Sequence, residues 1–186
     1  MIVPSEPSPR TDDEFEAWTK YGSLRFDSQV QDWEAGPSGL RRPSFALVEP
    51  LPAPLMVLDT SALLVILLDE PESPAFRQSI EQDPVRLLSA ASLLEAALVV
   101  EAHFGEAGGR ELDLLLHKAE IQVVGFDTDQ AELAREAWRQ FGRGRHPAGL
   151  NFGDCFSYAL SKASGEPLLF KGGDFSRTDV SPVRPN

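Results

Sequence analysis

Four short apolar runs, separated by segments with helical character, constrain the fold of this chain more than any other feature. The runs are Met56–Leu58, Val85–Leu88, Ile121–Val124 and Pro167–Phe170. Short apolar strands that alternate with helices indicate parallel β-α crossovers. We therefore predict an α/β fold with a mainly parallel sheet. In such sheets ligands bind beyond the carboxyl ends of the strands.

Six helices are predicted between these strands. Their expected ranges are Ser61–Leu68, Pro74–Gln82, Ala90–Phe104, Arg110–Ala119, Asp127–Phe141 and Phe152–Ala163. The helix from Asp127 is amphipathic. Its expected inner face consists of Ala131, Ala134, Ala137, Trp138 and Phe141. A last edge strand is expected at Val180–Val183.

The composition changes near residue 55, which predicts an extension at residues 1–55 and one domain at residues 56–186. The first 55 residues hold eight of the fifteen prolines. Between these prolines, Asp12 to Trp33 is acidic and aromatic, and alone it buries too little surface for a core. We expect this extension to be poorly structured on its own.

Charge and hydropathy exclude some classes of protein. The net charge of −12 argues against a non-specific nucleic-acid binder, which is normally basic. No apolar run reaches the roughly 18 residues that span a bilayer, and the N-terminus lacks the order of a signal peptide. Cys155 is the single cysteine, so no internal disulfide forms. We expect a cytoplasmic protein without a membrane partner.

Four acids lie at or soon after predicted strand ends. Asp59 follows the first strand, Glu95 lies in the helix after the second, Asp154 begins the helix before the fourth, and Asp174 follows the fourth. In a parallel sheet these positions converge on one edge. Carboxylate oxygens are the ligands that Mg²⁺ prefers, with several waters retained. The four acids therefore form a candidate metal site.

Each acid also has a purely structural interpretation. Asp59 fits a helix cap, and Ser92 with Glu95 matches a capping box, as Asn151 with Asp154 does more loosely. Asp174 fits a turn after two glycines. Glu95, however, lies among apolar neighbours, where an isolated carboxylate is costly. The set of four therefore favours a site over four separate caps and turns.

The residues around these acids resemble the motifs of PIN-domain ribonucleases, in particular the VapC toxins of type II toxin–antitoxin systems. Residues 56–63 (MVLDTSAL) resemble their opening motif and residues 92–96 (SLLEA) the second. Residues 150–160 (LNFGDCFSYAL) and 168–175 (LLFKGGDF) are similar to the third and fourth. The resemblance extends from Met56 to nearly the end of the chain and leaves out residues 1–55.

This resemblance implies a three-layer PIN-like fold and a metal-dependent endoribonuclease that activates water to hydrolyse RNA. It implies that Asp59, Glu95, Asp154 and Asp174 bind Mg²⁺ or Mn²⁺ and are the catalytic residues. It also implies a VapB-like antitoxin partner and a homodimer. Relatives often carry an acid where this chain has Gly173, so Asp179 is an alternative fourth acid. Two other functions stay open, a PIN-type nuclease for RNA processing or DNA and an inactive PIN-like binding module.

Other polar groups point less clearly to a site. His103, His117 and His146 are scattered and have no cysteine cluster, which argues against zinc. Cys155 is interpreted as a small buried thiol, and Trp138 as a core residue. Arginines form one basic cluster that is either a solvated surface or an RNA-backbone contact. Its members are Arg135, Arg139, Arg143 and Arg145.

A chain that begins at Met56 is expected to fold and to cleave RNA as well as the full chain, because the proline-dense extension lacks a regular apolar period. Circular dichroism, thermal melting and an RNA-cleavage assay on both lengths check this. An unfolded short form would place the extension in the core. A folded but markedly more active short form would identify the segment as an inhibitor.

Overall fold

The computed structural model describes residues 55–185. The predicted boundary at residue 56 stays a prediction, because residues 1–54 lie outside the described part. The strands are β1 (Leu55–Leu58), β2 (Val85–Ser89), β3 (Ile121–Val124) and β4 (Leu168–Leu169). The helices are α1 (Thr60–Leu67), α2 (Ser73–Gln82), α3 (Ala90–Phe104), α4 (Glu106–Lys118), α5 (Thr128–Phe141) and α6 (Phe152–Ser164). None of these helices is long and apolar enough to cross a membrane.

The four strands form one parallel sheet in the order β3-β2-β1-β4. The central strand β1 pairs with β2 in the register Leu58 to Leu88 and with β4 in the register Leu58 to Leu169. All four residues of β1 are buried. This confirms the predicted parallel α/β architecture. The carboxyl ends of β1, β2 and β4 consequently lie side by side.

Alternate residues of the strands enter two separate hydrophobic clusters. Met56, Leu58 and Leu88 pack with residues of α1 to α4, whereas Val57 and Leu168 pack with residues of α5 and α6. Successive side chains of a strand point to opposite faces, so the two clusters lie on opposite faces of the sheet. The fold therefore has three layers, as the resemblance implied.

Helix α4 begins one turn earlier than the sequence indicated. Gly105 ends α3 with φ of +58° and immediately precedes α4, so the two helices share one residue as their boundary. Gly108, inside α4, packs against the backbone of Val100, where a Cβ would lie only 2.5 Å from the carbonyl oxygen. Gly108 therefore allows the close contact between α3 and α4.

The expected edge strand at Val180–Val183 is reduced to a single bridge between Leu168 and Pro182. The backbone of Leu168 donates to Ser181 and accepts from Val183, both at 2.8 Å. Pro182 lies between these bonds and has no N–H for a longer ladder. β4 itself is likewise two residues shorter than predicted.

The interpretation of Trp138 as a core residue is wrong, since the side chain is 39% exposed. In α5 the buried face is centred on Ala137, and Trp138 lies about 100° farther around the helix. Its ring lies against the backbone of Gly142, where an added Cβ would come within 2.9 Å of the indole. The helix therefore presents an indole to solvent beside the basic cluster.

Candidate active site

Asp59 follows β1 directly and caps the N-terminus of α1. Its carboxylate accepts from the backbone N–H of Ser61 at 2.9 Å and from the Ser61 hydroxyl. The same hydroxyl oxygen accepts from the backbone N–H of Lys171 at 3.0 Å. Ser61 therefore connects the end of β1 to the segment after β4. Asp59 is almost completely buried, with 4% of its surface exposed.

Glu95 lies in the second turn of α3 and faces α1. Its carboxylate accepts a 2.7 Å hydrogen bond from the Thr60 hydroxyl, which also contacts the Ser92 carbonyl at 3.3 Å. Burial raises the pKa of Glu95, and the charge of Asp59 raises it further against the opposing effect of the Thr60 bond. The expected apolar surroundings of Glu95 are therefore present. Proximity to Asp59 adds a like charge to them.

Asp154 lies in the first turn of α6 and forms a capping box with Asn151. Its carboxylate accepts from the Asn151 N–H at 2.7 Å, and its own N–H donates to the Asn151 side chain at 3.0 Å. Burial raises its pKa to about 7, helped by the charges of Asp59, Asp174 and Glu95 and opposed by the Asn151 bond. The charges of the other three acids thus all act on the Asp154 carboxyl group, while the joint role of the four acids stays a prediction.

Gly153 fixes the distance between α6 and Glu95. A Cβ at this position would clash with both oxygens of the Glu95 carboxylate. Any larger residue would therefore separate the second acid from the third. The neighbouring Ser92 and Ser157 hydroxyls form a buried hydrogen bond of 3.1 Å between α3 and α6. The interpretation of Ser92 as a helix cap is therefore wrong. Ser89 caps α3 instead.

Asp174 lies in the turn after β4, between two aromatic anchors. Phe170 and Phe175 are buried and their ring centroids are 5.0 Å apart. Gly172 permits the turn with φ of +104°. Lys171 forms ion pairs with Glu70 and Glu72, which attach this segment to the turn between α1 and α2. The loop carrying the fourth acid is therefore fixed at both ends.

The alternative fourth acid, Asp179, has other partners. It accepts from the Tyr158 hydroxyl at 2.7 Å and from Lys162 at 3.0 Å. Burial alone raises the pKa of Asp179, but the bonds from Tyr158 and Lys162 outweigh it and leave the pKa lowered. The charge of Asp174, by contrast, acts on Asp154. These contacts favour Asp174 over Asp179.

The donor set fits a hard divalent cation, because all four side chains offer oxygen and share a negative field. Three of the carboxylates are held by neighbouring donors, namely Ser61, Thr60 and the Asn151 N–H. Within residues 55–185, no three His, Cys, Asp or Glu side chains lie close enough together to hold a metal as they stand. The metal-binding role of the four acids stays a prediction.

Several residues beside the acids were not identified from sequence. Thr60 and Ser61 position Glu95 and Asp59, and Gly153 allows α3 and α6 to approach. Thr60 and Ser61 immediately follow Asp59 at a strand end, which is the one signal that pointed to them. For Gly153 the signal was its place between two acidic-site residues, but its contact with α3 depends on packing across 58 positions of sequence (95 to 153).

The predicted basic residues are all exposed. Arg135 is paired with Glu132, while Arg143 lies in the loop after α5. The backbone N–H of Arg143 donates to the backbone carbonyl of Leu150 at 3.0 Å. Leu150 immediately precedes the Asn151 cap. The loop between α5 and α6, which carries Arg143 and Arg145 and is named the basic loop, therefore closes at the N-terminus of α6. Cys155 is buried as predicted, and burial raises its thiol pKa to about 12, helped by the Asp154 charge.

Comparison with known proteins gives a family match over most of the described region. The model of the PIN domain family matches residues 56–181. The chain is 59% identical over 128 residues to Ribonuclease VapC30 of Mycobacterium tuberculosis, a match that covers 69% of this chain and 98% of the relative. It is also 59% identical over 128 residues to Ribonuclease VapC of Mycolicibacterium smegmatis, covering 69% and 99%.

Solved structures agree with this at the level of fold. The crystal structure of VapC20 of Mycobacterium tuberculosis, described as a Sarcin-Ricin loop cleaving toxin, matches with a TM-score of 0.59 and 19% identity. It covers 70% of this chain and 99% of that one. VapBC2 of Rickettsia felis, bound to a promoter DNA fragment, matches with a TM-score of 0.55 and 15% identity, covering 70% and 97%.

The Asp154→Asn variant is expected to be more stable than the parent chain above pH 7 when metal is chelated. The folded pKa of about 7 exceeds the unfolded value of 3.8, so the stabilisation from the protonated carboxyl is complete below pH 3.8 and is lost as pH rises through 7. Asparagine keeps the neutral form. The advantage should grow from near zero at pH 4 to at most about 4 kcal/mol at pH 8.

Urea unfolding of both chains in EDTA at several pH values measures this difference. The Asp113→Asn variant, which changes an exposed acid of α4, serves as the control for loss of one negative charge. A difference that stays constant between pH 4 and pH 8 would mean that the pKa of Asp154 is not raised in the folded chain.

Proposed function

Because the chain belongs to the PIN domain family and within it to the VapC ribonucleases, we propose that it is a toxin endoribonuclease that hydrolyses RNA at the edge formed by Asp59, Glu95, Asp154 and Asp174. The observation that carries the proposal is the match to the PIN domain family over residues 56–181, within which Asp59, Glu95 and Asp174 follow β1, β2 and β4. Like charges are gathered in this way where a cation offsets their repulsion. An inactive binding module has no need for the arrangement.

Mg²⁺ or Mn²⁺, when bound, supplies positive charge that stabilises the negative charge developing on the phosphate. Asp59, Glu95, Asp154 and Asp174 would hold it. Asp59 and Glu95 are oriented for this by Ser61 and Thr60, so their carboxylates lose little freedom on binding.

The basic loop is proposed to hold the RNA backbone. Arg143 and Arg145 lie in this loop, Arg139 lies in the last turn of α5, and all three are exposed. The loop joins α6 one residue before its cap. Cations beside an acidic edge offset the repulsion between RNA phosphates and the four carboxylates. Arg135 belongs to the same proposal although it is paired with Glu132, because an exposed ion pair is weak enough to exchange partners.

We extend the proposal to partners on the strength of family membership. A VapB-like antitoxin would neutralise the enzyme, and the active form would be a homodimer. Induction in a host that lacks the antitoxin should arrest growth, and sequencing of RNA ends in total RNA should give the cleavage sites. Growth arrest relieved by co-expression of a neighbouring gene identifies the antitoxin. A processing nuclease would give defined ends without arrest.

The Asp59→Asn variant is expected to lose RNA cleavage by at least about a hundredfold while keeping its fold. Asparagine preserves the shape and the cap of α1 but removes the charge that a hard cation needs. Single-turnover cleavage of total RNA measures the loss, and circular dichroism measures the fold. Cys155→Ser is the control and should cleave normally. Full activity in a folded Asp59→Asn chain would refute the assigned site.

Added Mg²⁺ or Mn²⁺ is expected to raise the melting temperature of the parent chain, because a cation bound only by the folded state stabilises it by mass action. At a hundred times the dissociation constant the gain is about 2.7 kcal/mol. The Asp59→Asn/Asp154→Asn variant should show much less of this increase. Asp179→Asn is a matched control and should retain it. Equal shifts in all three chains would indicate a non-specific ion effect.

A further inference from the structure

Among the large apolar side chains of residues 55–185, Phe152 is the most exposed, with 73% of its surface accessible. It is the first residue of α6, between the Asn151 cap and Gly153, and two positions before Asp154. A rise of about 1.5 Å per residue places its backbone within about 3 Å of that of Asp154 along the helix axis. A large apolar ring is therefore exposed to water at the end of the helix that carries the third acid.

Phe152 contacts one aromatic ring, which contacts a second. Its centroid is 4.7 Å from that of Phe156, one turn along α6, with the ring planes at 82°. Phe156 in turn contacts Phe126 at 4.9 Å and 87°. Edge-to-face pairs of this kind favour a defined ring orientation. Phe156 and Phe126 are partly buried, so the cluster is anchored at one end and open at the Phe152 end.

The position of this cluster follows from the sheet. Phe126 lies in the segment after β3, and α6 begins with residues that belong to the acidic edge. The carboxyl ends of parallel strands lie at one end of the sheet, so the aromatic cluster and the four acids lie at that same end. The basic loop closes at Leu150, two residues before Phe152. One stretch of 14 residues, 143–156, therefore carries cation, acid and aromatic ring.

We propose that Phe152 is a stacking platform for one nucleobase of the RNA substrate, next to the bond that is cleaved. The proposal rests on the ribonuclease function above and adds a residue that selects single-stranded RNA. Every base has a π-face, so stacking on a side chain accepts many sequences but needs a base that is not stacked in a duplex. An exposed ring in a fixed orientation meets that need with little loss of freedom on binding.

A second copy of the chain is the competing occupant of this ring. A stable interface buries about 800 Å² on each partner, whereas one aromatic side chain buries 150–250 Å² (order of magnitude). The residues that flank the cluster, Asn151 and Asp127, are polar and exposed. Both points favour a ligand the size of one base. Loss of a dimer on substitution of Phe152 would show that a second copy covers the ring and would overturn the proposal.

The experiment compares two probes on the full chain carrying Asp59→Asn, which prevents cleavage. One is a fluorescent single-stranded RNA 12-mer of random sequence, and the other is a 12-mer of the same backbone without bases. In buffer with Mg²⁺, Phe152→Leu should weaken binding of the base-bearing probe about 5- to 100-fold and leave the abasic probe unchanged. The Phe152→Trp variant should bind the base-bearing probe as tightly as the chain with Phe152.

The matched control is Phe104→Leu, the same substitution at a ring that is 54% exposed. Phe104 is the last residue of α3, nine positions beyond Glu95 (95 to 104) and so about 14 Å farther from the edge. It should leave both probes unaffected. Light scattering of each variant reports whether the number of copies in the assembly changes.

Unchanged binding in Phe152→Leu, or an equal loss for both probes, would overturn the stacking role. A change from dimer to monomer that accounts for the loss would assign the ring to the second copy and overturn it equally. These results differ from a failure of the proposed function. In that case the parent chain, with Asp59 and Phe152 intact, would itself leave total RNA uncleaved.

Discussion

The parallel pairing of β1 on both of its edges is the interaction on which the rest of the structure depends. β1 supplies four buried residues and lies between β2 and β4, so the ends of three strands meet at one place. Each face of the strand belongs to a different hydrophobic cluster. A one-residue slip would exchange the two faces and move Asp59 away from the edge. Core packing and the position of the first acid are thus one constraint.

The acidic edge is held together by hydrogen bonds and by helix ends. Asp59 and Asp154 both cap helices, where the partial positive charge of the first turn favours an anion. Glu95 has no such position and depends on Thr60. The raised pKa values of Glu95 and Asp154 indicate that the hydrogen bonds and helix N-termini only partly offset the cost of burial and charge repulsion. The remaining cost is what a bound cation would remove.

Sequence reasoning identified the elements whose signals are local. Asp59 at a strand end and the Asn151–Asp154 box could be read from neighbouring residues, because strand ends and caps are set over a few positions. Trp138 and the start of α4 were misjudged for the opposite reason. The exposure of Trp138 depends on which face of α5 packs against the core. Gly108 lies within α4 because the backbone of Val100 in α3 packs against it. Such contacts exist only in the folded chain.

The strand order also determines when activity arises during synthesis. Asp59 and Asp174 are 115 positions apart (59 to 174), and β4, which pairs with β1, precedes Asp174 by five residues (169 to 174). Long-range parallel pairing forms only after the intervening chain is available. A ribosome translating this message therefore carries no complete acidic edge until the last strand has emerged. The proposed ribonuclease site therefore cannot assemble before the segment that follows β4 has been synthesised.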